Sequence, residues 1–131
     1  MAAATVGKRI LIIDDDFVTQ EMMSTLLASS GYRVAAACNG QDAFERLNTY
    51  EKPDLILLDL KMPVMDGSHF CQARQQDKAL AAIPVVILSG LPDVEKQAAR
   101  LGAAGYLQKP VDIVTLLGML HQHCQKQEAT V

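Results

Sequence analysis

The sequence predicts an α/β fold, in which helices cover both faces of a doubly wound, five-stranded parallel sheet. Three observations lead to this prediction. Five short apolar segments alternate with five longer segments of helical character. The apolar segments are hydrophobic almost without interruption, as expected for strands buried on both faces. The second segment ends at Cys38 and Asn39 and brings no charge to its end, as expected if its strand lies outermost in the order 2-1-3-4-5.

The first two strands and the helices that follow them are marked by residues typical of helix ends. RILIID is the first predicted strand, and the helix beginning near Phe17 ends before Gly31, a usual C-cap residue. Four-residue spacing stacks two apolar pairs of this helix, Met22 with Leu26 and Met23 with Leu27. YRVAAAC is the second strand, and Asn39 precedes the helix that begins near Gln41.

The second half of the chain repeats this alternation three times. The strands are DLILLD, PVVILS and AGYLQK. One helix begins near Gly67, directly after Asp66. A second begins near Asp93 and ends at Gly102, and a third begins near Val111. The last helix carries one apolar stripe: Ile113, Leu116, Leu117, Leu120 and Cys124.

Length and composition restrict the class of protein. The 131 residues fit one domain, expected over residues 9–126 with a flexible N-terminal tail at 1–8 and a C-terminal tail at 127–131. Twelve basic and 15 acidic residues give a net charge of −3, so no basic surface for nucleic acid is expected. No segment is apolar enough for a signal peptide or a membrane span, which predicts a cytoplasmic protein without membrane contact. Three widely spaced cysteines predict neither a disulfide framework nor a zinc site.

Polar residues follow the strands at the point where each strand ends. Because the carboxyl ends of parallel strands share one edge, these side chains are expected together where such sheets bind ligands. They are Asp14, Asp15 and Asp16 after the first strand, Asp59 after the third, Ser89 after the fourth and Lys109 after the fifth.

The predicted cluster suits a divalent cation and a phosphoryl group. Several carboxylates repel one another unless a hard cation such as Mg²⁺ lies between them. Lys109 and Ser89 beside the metal would bind phosphoryl oxygens, and Asp59 is left as the nucleophile. Asp16 is expected to be a solvated residue at the start of a helix and not a metal ligand. Asp59 taken alone also fits the ordinary use of aspartate where a strand gives way to a loop.

Four motifs in this order, IIDDD, LLDLKMPVMDG, ILSG and GYLQKP, closely resemble the receiver domain of bacterial two-component response regulators. The resemblance runs from about Arg9 to Gln125 and implies the flavodoxin-like receiver fold. It also implies the role of each site residue: Asp59 as phosphoacceptor, Asp14 and Asp15 as the acidic pair that binds Mg²⁺ with Asp59, Lys61 as donor of a backbone carbonyl to the metal, Ser89 and Tyr106 as the switch pair, and Lys109 as the lysine that pairs with the phosphoryl group.

Two positions depart from the usual pattern of the family. Val111 stands where phenylalanine is usual, which reduces the bulk at that end of the sheet. Lys61 places a long cation two residues past the acceptor, where it could reach the phosphoryl group or obstruct water. The resemblance further implies a cis peptide bond between Lys109 and Pro110.

The resemblance predicts a signalling switch and not a metabolic enzyme. Asp59 would take a phosphoryl group from a histidine kinase or a histidine phosphotransfer protein, and the chain would catalyse only its own phosphorylation and dephosphorylation. Phe17 falls out of phase with Val18, Met22 and Leu26, so it is expected to be exposed and to dock the partner. Output is expected through a downstream effector protein, or through a phosphorylation-dependent homodimer, because the chain carries no DNA-binding segment.

Two alternatives stay open. A magnesium-dependent phosphohydrolase with an aspartyl-phosphate intermediate would need an acid/base aspartate two residues after the nucleophile, where Lys61 stands. A phosphate-independent scaffold on the same fold normally loses the acceptor, the acidic pair or the lysine, and this chain has all of them.

Overall fold

A computed structural model describes residues 7–49, 52–60 and 67–129. The five strands are β1 (Arg9–Ile13), β2 (Arg33–Ala37), β3 (Leu55–Asp59), β4 (Val85–Ser89) and β5 (Gly105–Gln108). The six helices are α1 (Phe17–Ser29), α2 (Gly40–Thr49), α3 (Gly67–Arg74), α4 (Lys78–Ala81), α5 (Val94–Leu101) and α6 (Ile113–Ala129).

The strands form one parallel sheet in the order β2-β1-β3-β4-β5. Every residue of β3 and β4 is buried, as the uninterrupted apolar segments predicted for central strands. In β2, at the edge, only Ala37 is buried. The predicted fold class and strand order are therefore confirmed.

The sheet separates two hydrophobic cores. On one face α2, α3, α4 and α5 pack against the sheet, and the rings of Phe44 and Phe70 lie 4.9 Å apart between α2 and α3. On the other face α1 and α6 contribute Met23, Leu27, Leu116, Leu120 and Cys124. The apolar stripe predicted for the last helix thus faces the sheet. None of the helices in the described ranges has an apolar stretch long enough to span a bilayer.

Helix α1 faces the sheet differently from the expectation. It buries Met23 and Leu27, whereas Val18, Met22 and Leu26 are 69%, 61% and 43% exposed. Grouping these last three as the inward face was wrong, because apolar residues occur around most of this helix. Phe17 is 67% exposed, so its predicted exposure is confirmed. The argument for that prediction was wrong, because the three residues with which Phe17 was compared are exposed as well.

Short α4 was not predicted. Asp77 caps its N-terminus by accepting hydrogen bonds from the backbone amides of Ala79 and Leu80. Gly102 ends α5 with a left-handed φ of 71°, as expected of a C-cap glycine. Asp93 stands at the start of α5, but its carboxylate accepts from the Gln97 amide instead of a backbone amide.

Ordered contacts extend slightly beyond the boundaries expected from the sequence. The amide of Gly7 donates to the carbonyl of Gly31, and the Lys8 carbonyl accepts from Arg33. Backbone hydrogen bonds thus begin two residues before β1. At the other end, α6 continues to Ala129, three residues past the expected boundary at 126.

Candidate functional site

Two buried carboxylates lie side by side at the carboxyl edge of the sheet. Asp14 directly follows β1 and Asp59 ends the neighbouring β3; they are only 3% and 6% exposed. The amide of Asp14 donates to the carbonyl of Ala37, and the Gln20 side chain donates to the carbonyls of both Asp14 and Ala37. Helix α1 therefore holds the ends of β1 and β2 together under the site.

A third carboxylate completes the acidic cluster. The carboxylate oxygens of Asp14, Asp15 and Asp59 lie within 4.8 Å of one another, and Asp15 is exposed to solvent. This clustering was predicted from the strand ends and is confirmed. Lys61, expected to contribute a backbone carbonyl, and Asp66 lie outside the described residues.

Lys109 brings a positive charge to the cluster. Its Nζ lies 3.4 Å from Oδ2 of Asp59 and 4.0 Å from Oδ2 of Asp14. The Lys109 amide donates to the carbonyl of Ser89 at 2.8 Å, which fixes the lysine at the end of β5 beside β4. The following bond to Pro110 is cis, as predicted.

Burial disfavours the ionised form of Asp14 in this cluster. Burial raises the pKa of Asp14 from 3.8 to about 6; the charge of Asp59 also raises it, while the Asp16 amide and Lys109 lower it. One lysine thus does not offset the burial of a carboxylate next to another carboxylate. Oxygen ligands at this spacing, two of them buried, suit a hard divalent cation such as Mg²⁺.

Asp16 takes no part in this cluster. Its carboxylate caps α1 by accepting hydrogen bonds from the amides of Val18 and Thr19 and from the Thr19 hydroxyl. These bonds lower the pKa of Asp16. The prediction that Asp16 is a helix-start residue is confirmed.

Ser89 and Tyr106 lie on the neighbouring strands β4 and β5. Ser89 is 3% exposed, and its hydroxyl accepts a hydrogen bond from the Leu91 amide at 3.1 Å. Tyr106 is 37% exposed, and its hydroxyl donates to Oε2 of Glu95 at 3.0 Å. This hydrogen bond raises the pKa of Tyr106. Sequence reasoning did not identify Glu95, because a glutamate in the first turn of a helix gives no indication of a partner on the next strand.

An apolar surface lies next to the acidic cluster. Phe17 directly follows Asp16, and Val18, Met22 and Leu26 continue along α1 at four-residue spacing. All four side chains are exposed. We call these four residues the α1 apolar stripe. Phe17 was predicted to be exposed, but Val18, Met22 and Leu26 were assigned to the inward face, so the continuous stripe was missed.

The comparisons with known proteins agree with this geometry. The family model described as response regulator receiver domain matches residues 10–121. The chain is 38% identical over 112 residues to Protein PilH of Pseudomonas aeruginosa, covering 83% of this chain and 91% of that protein. Among solved structures, the chemotaxis response regulator CheY4 of Vibrio cholerae has a TM-score of 0.81 at 30% identity, covering 90% of this chain and 99% of that chain.

Longer curated proteins also match. The chain is 40% identical over 111 residues to the DNA-binding dual master transcriptional regulator RpaA of Synechocystis sp., covering 83% of this chain and 46% of that protein. It covers 50% of the transcriptional regulatory protein CrdR of Helicobacter pylori. The chain thus spans about half the length of these curated relatives.

Proposed function

Since the chain belongs to the response regulator receiver domain family, we propose that Asp59 accepts a phosphoryl group from a histidine kinase or a histidine phosphotransfer protein. Two-component signalling is the function of this family, and phosphorylation of an aspartate is its general chemistry. The observation that carries the proposal is the position of Asp59: a buried carboxylate, with Lys109 Nζ at 3.4 Å and two further carboxylates beside it.

The proposed step transfers the phosphoryl group from a histidine nitrogen to a carboxylate oxygen of Asp59. A carboxylate oxygen of Asp59 forms the new P–O bond while the P–N bond of the phosphohistidine breaks. The imidazole keeps the electron pair of the P–N bond and leaves neutral when its other nitrogen carries a proton. Lys109 is paired with Asp59 before transfer, and its ammonium group would pair with the phosphoryl oxygens after transfer.

Asp14, Asp15 and Asp59 would hold Mg²⁺, together with the backbone carbonyl proposed for Lys61. The metal would supply positive charge to the phosphoryl oxygens during transfer. Asp14 is already oriented for this role, because the amide of Asp16 donates to its Oδ1 at 2.9 Å. The raised pKa of Asp14 supports this assignment, since a cation between the carboxylates would stabilise the ionised form.

Phosphorylation by a small donor tests the acceptor. Acetyl phosphate with Mg²⁺ should add one phosphoryl group by intact mass, and chelator or Asp59→Asn should abolish the addition. Asp16→Asn is the matched control: it alters the neighbouring carboxylate but retains an N-cap, so uptake should persist. Equal uptake with and without chelator, or uptake by Asp59→Asn, would reject the assignment.

Ser89 and Tyr106 would transmit the change to the surface. A phosphoryl group on Asp59 adds acceptor oxygens that the Ser89 hydroxyl can reach by moving inward with its loop. Tyr106 would then rotate from its exposed position into the vacated space. The altered surface would be that of α5, β5 and α6, offered to a downstream effector or to a second copy of the chain, with Val111 making it less aromatic.

Amide NMR with and without beryllofluoride, a phosphoryl mimic, tests the switch in the presence of Mg²⁺. Shifts are expected at Ser89, at Tyr106 and through α5. Shifts confined to Asp14, Asp15 and Asp59 would leave a phosphate-binding site without a switch.

The α1 apolar stripe would dock the phosphohistidine partner. It is exposed, and Phe17 stands one residue from the helix cap beside the acidic cluster. Phe17→Ala should slow transfer from the protein donor but not from acetyl phosphate, whereas Phe17→Leu, which keeps an apolar side chain, should retain most of the rate. If Phe17→Ala slows both donors equally, the residue supports the fold and not the docking.

The two alternatives have less support. The family match favours a receiver over a phosphohydrolase, and Lys61 stands where the hydrolase acid/base would be needed. A phosphate-independent scaffold would not need to keep an acidic cluster paired with a lysine. The catalysis that we propose is therefore limited to the chain's own phosphorylation and dephosphorylation.

A further inference from the structure

Tyr106 is held at the surface by a specific contact. Its hydroxyl donates to the carboxylate of Glu95 at 3.0 Å, although a side chain that is 37% exposed could have been hydrated by water alone. Glu95 is in the first turn of α5, so the hydrogen bond joins the middle of β5 to the start of that helix. The contact therefore crosses from the strand that carries the tyrosine to the helix that follows the Ser89 loop.

The same helix start is connected to the site. In the sheet register, Tyr106 pairs with Ile87, two residues before Ser89. The Ser89 hydroxyl accepts a hydrogen bond from the amide of Leu91, which lies in the loop that leads into α5. Inward movement of Ser89 must alter this loop, and inward rotation of Tyr106 must break the bond to Glu95.

We propose that Glu95 is a latch that keeps Tyr106 outward in the unphosphorylated chain and so reduces the population of the active conformation. This inference rests on the proposed function, because it requires Tyr106 to be the switch aromatic. The bond exists in only one of the two conformations, so it shifts the equilibrium between them by its own free energy. For an exposed hydrogen bond to a charged group, removal should raise the inward population by about two- to fivefold.

A phosphoryl mimic makes this population measurable. If beryllofluoride with Mg²⁺ binds the inward state preferentially, its Kd must fall by the same factor by which Glu95→Ala raises the inward population. Incorporated 3-fluorotyrosine gives one ¹⁹F resonance each for Tyr32, Tyr50 and Tyr106, and Tyr106→Phe identifies the relevant one.

The experiment compares Glu95→Ala with a matched control, Glu45→Ala. The control also removes an exposed glutamate, but from α2, on another part of the surface. Glu95→Ala should move the Tyr106 resonance toward its beryllofluoride-saturated position before any ligand is added, and should lower the Kd about two- to fivefold. Glu45→Ala should do neither. In the Tyr106→Phe background, Glu95→Ala should leave the Kd unchanged.

Three results would overturn the latch. An unmoved Tyr106 resonance with an unchanged Kd in Glu95→Ala rejects it, while the wild-type response to beryllofluoride still supports the switch. An equal fall of Kd in the Tyr106→Phe background shows that Glu95 acts by a route other than the tyrosine hydroxyl. If saturation of the wild type leaves the Tyr106 resonance unmoved, the proposed switch fails and the latch fails with it.

Discussion

Replacing Asp14 by asparagine should stabilise the metal-free protein at neutral pH. The carboxylate is almost completely buried and stands beside Asp59, so its ionised form is disfavoured. Asparagine has nearly the same shape and keeps an oxygen that can accept the hydrogen bond from the Asp16 amide. The substitution therefore removes the buried charge without removing the contact.

The size of this stabilisation and its pH dependence follow from the pKa of Asp14. Between its ordinary value of 3.8 and its raised value of about 6, the folded state binds more protons than the unfolded state. Stability contributed by this group is therefore greatest below pH 3.8 and is lost as the pH rises through about 6. The interval corresponds to about 3 kcal/mol, at about 1.4 kcal/mol per pH unit.

Urea unfolding in chelator, followed by far-UV circular dichroism, measures the effect. Asp14→Asn should raise the free energy of unfolding by about 2 to 3 kcal/mol near neutral pH and by well under about 1 kcal/mol near pH 4. Asp93→Asn is the matched control, because it makes the same change of charge on an exposed carboxylate at the start of α5. Its effect should be small and similar at both pH values.

Magnesium should reduce the difference in stability between the two proteins. Wild type should gain stability on adding Mg²⁺, and Asp14→Asn should gain less because one proposed ligand is lost. An Asp14→Asn protein that is no more stable than wild type in chelator, or a gain equal at both pH values, would refute the argument that the buried charge destabilises the fold.

Three further predictions concern stability and are checked by the same unfolding measurement. Gly102→Ala should cost about 1 kcal/mol, because Gly102 has a φ of 71°, whereas Gly90→Ala meets open space and should cost little; equal effects would contradict the role of the left-handed cap. Asp16→Ala should cost about 1 kcal/mol by removing the cap of α1, and Asp16→Asn should not; an unchanged Asp16→Ala protein would show that the cap adds no stability. Arg74 is 5% exposed and its Nη2 donates to the Ile83 carbonyl at 3.0 Å, so Arg74→Ala should cost about 2 to 4 kcal/mol through the lost packing and the unpaired carbonyl; a cost below about 1 kcal/mol would contradict this.

The acidic cluster was predictable because it depends on topology alone. Once the strands are parallel and alternate with helices, the residue after each strand must lie at one edge. Asp14, Asp59 and Lys109 therefore come together whatever the details of packing are. The roles assigned to these residues come from the family resemblance and stay predictions.

Other features depend on packing that the sequence does not display. Helix α4 has only four residues, too few to show a helical period, and only the cap residue Asp77 marks it. Apolar residues lie around most of α1, so periodicity could not identify Met23 and Leu27 as the buried pair. The hydrogen bond from Tyr106 to Glu95 depends on a side-chain rotamer, which no spacing reveals.

The sheet that divides the two cores bears on how such a protein can diverge. The proposed docking residues stand on α1, over one core, and the proposed latch residue stands on α5, over the other. Substitutions separated by a layer of buried strands share few neighbours, so their effects on stability should add. A lineage could therefore change the proposed docking residues on α1 while retaining the proposed latch on α5, and the reverse, because these two helices lie over different cores.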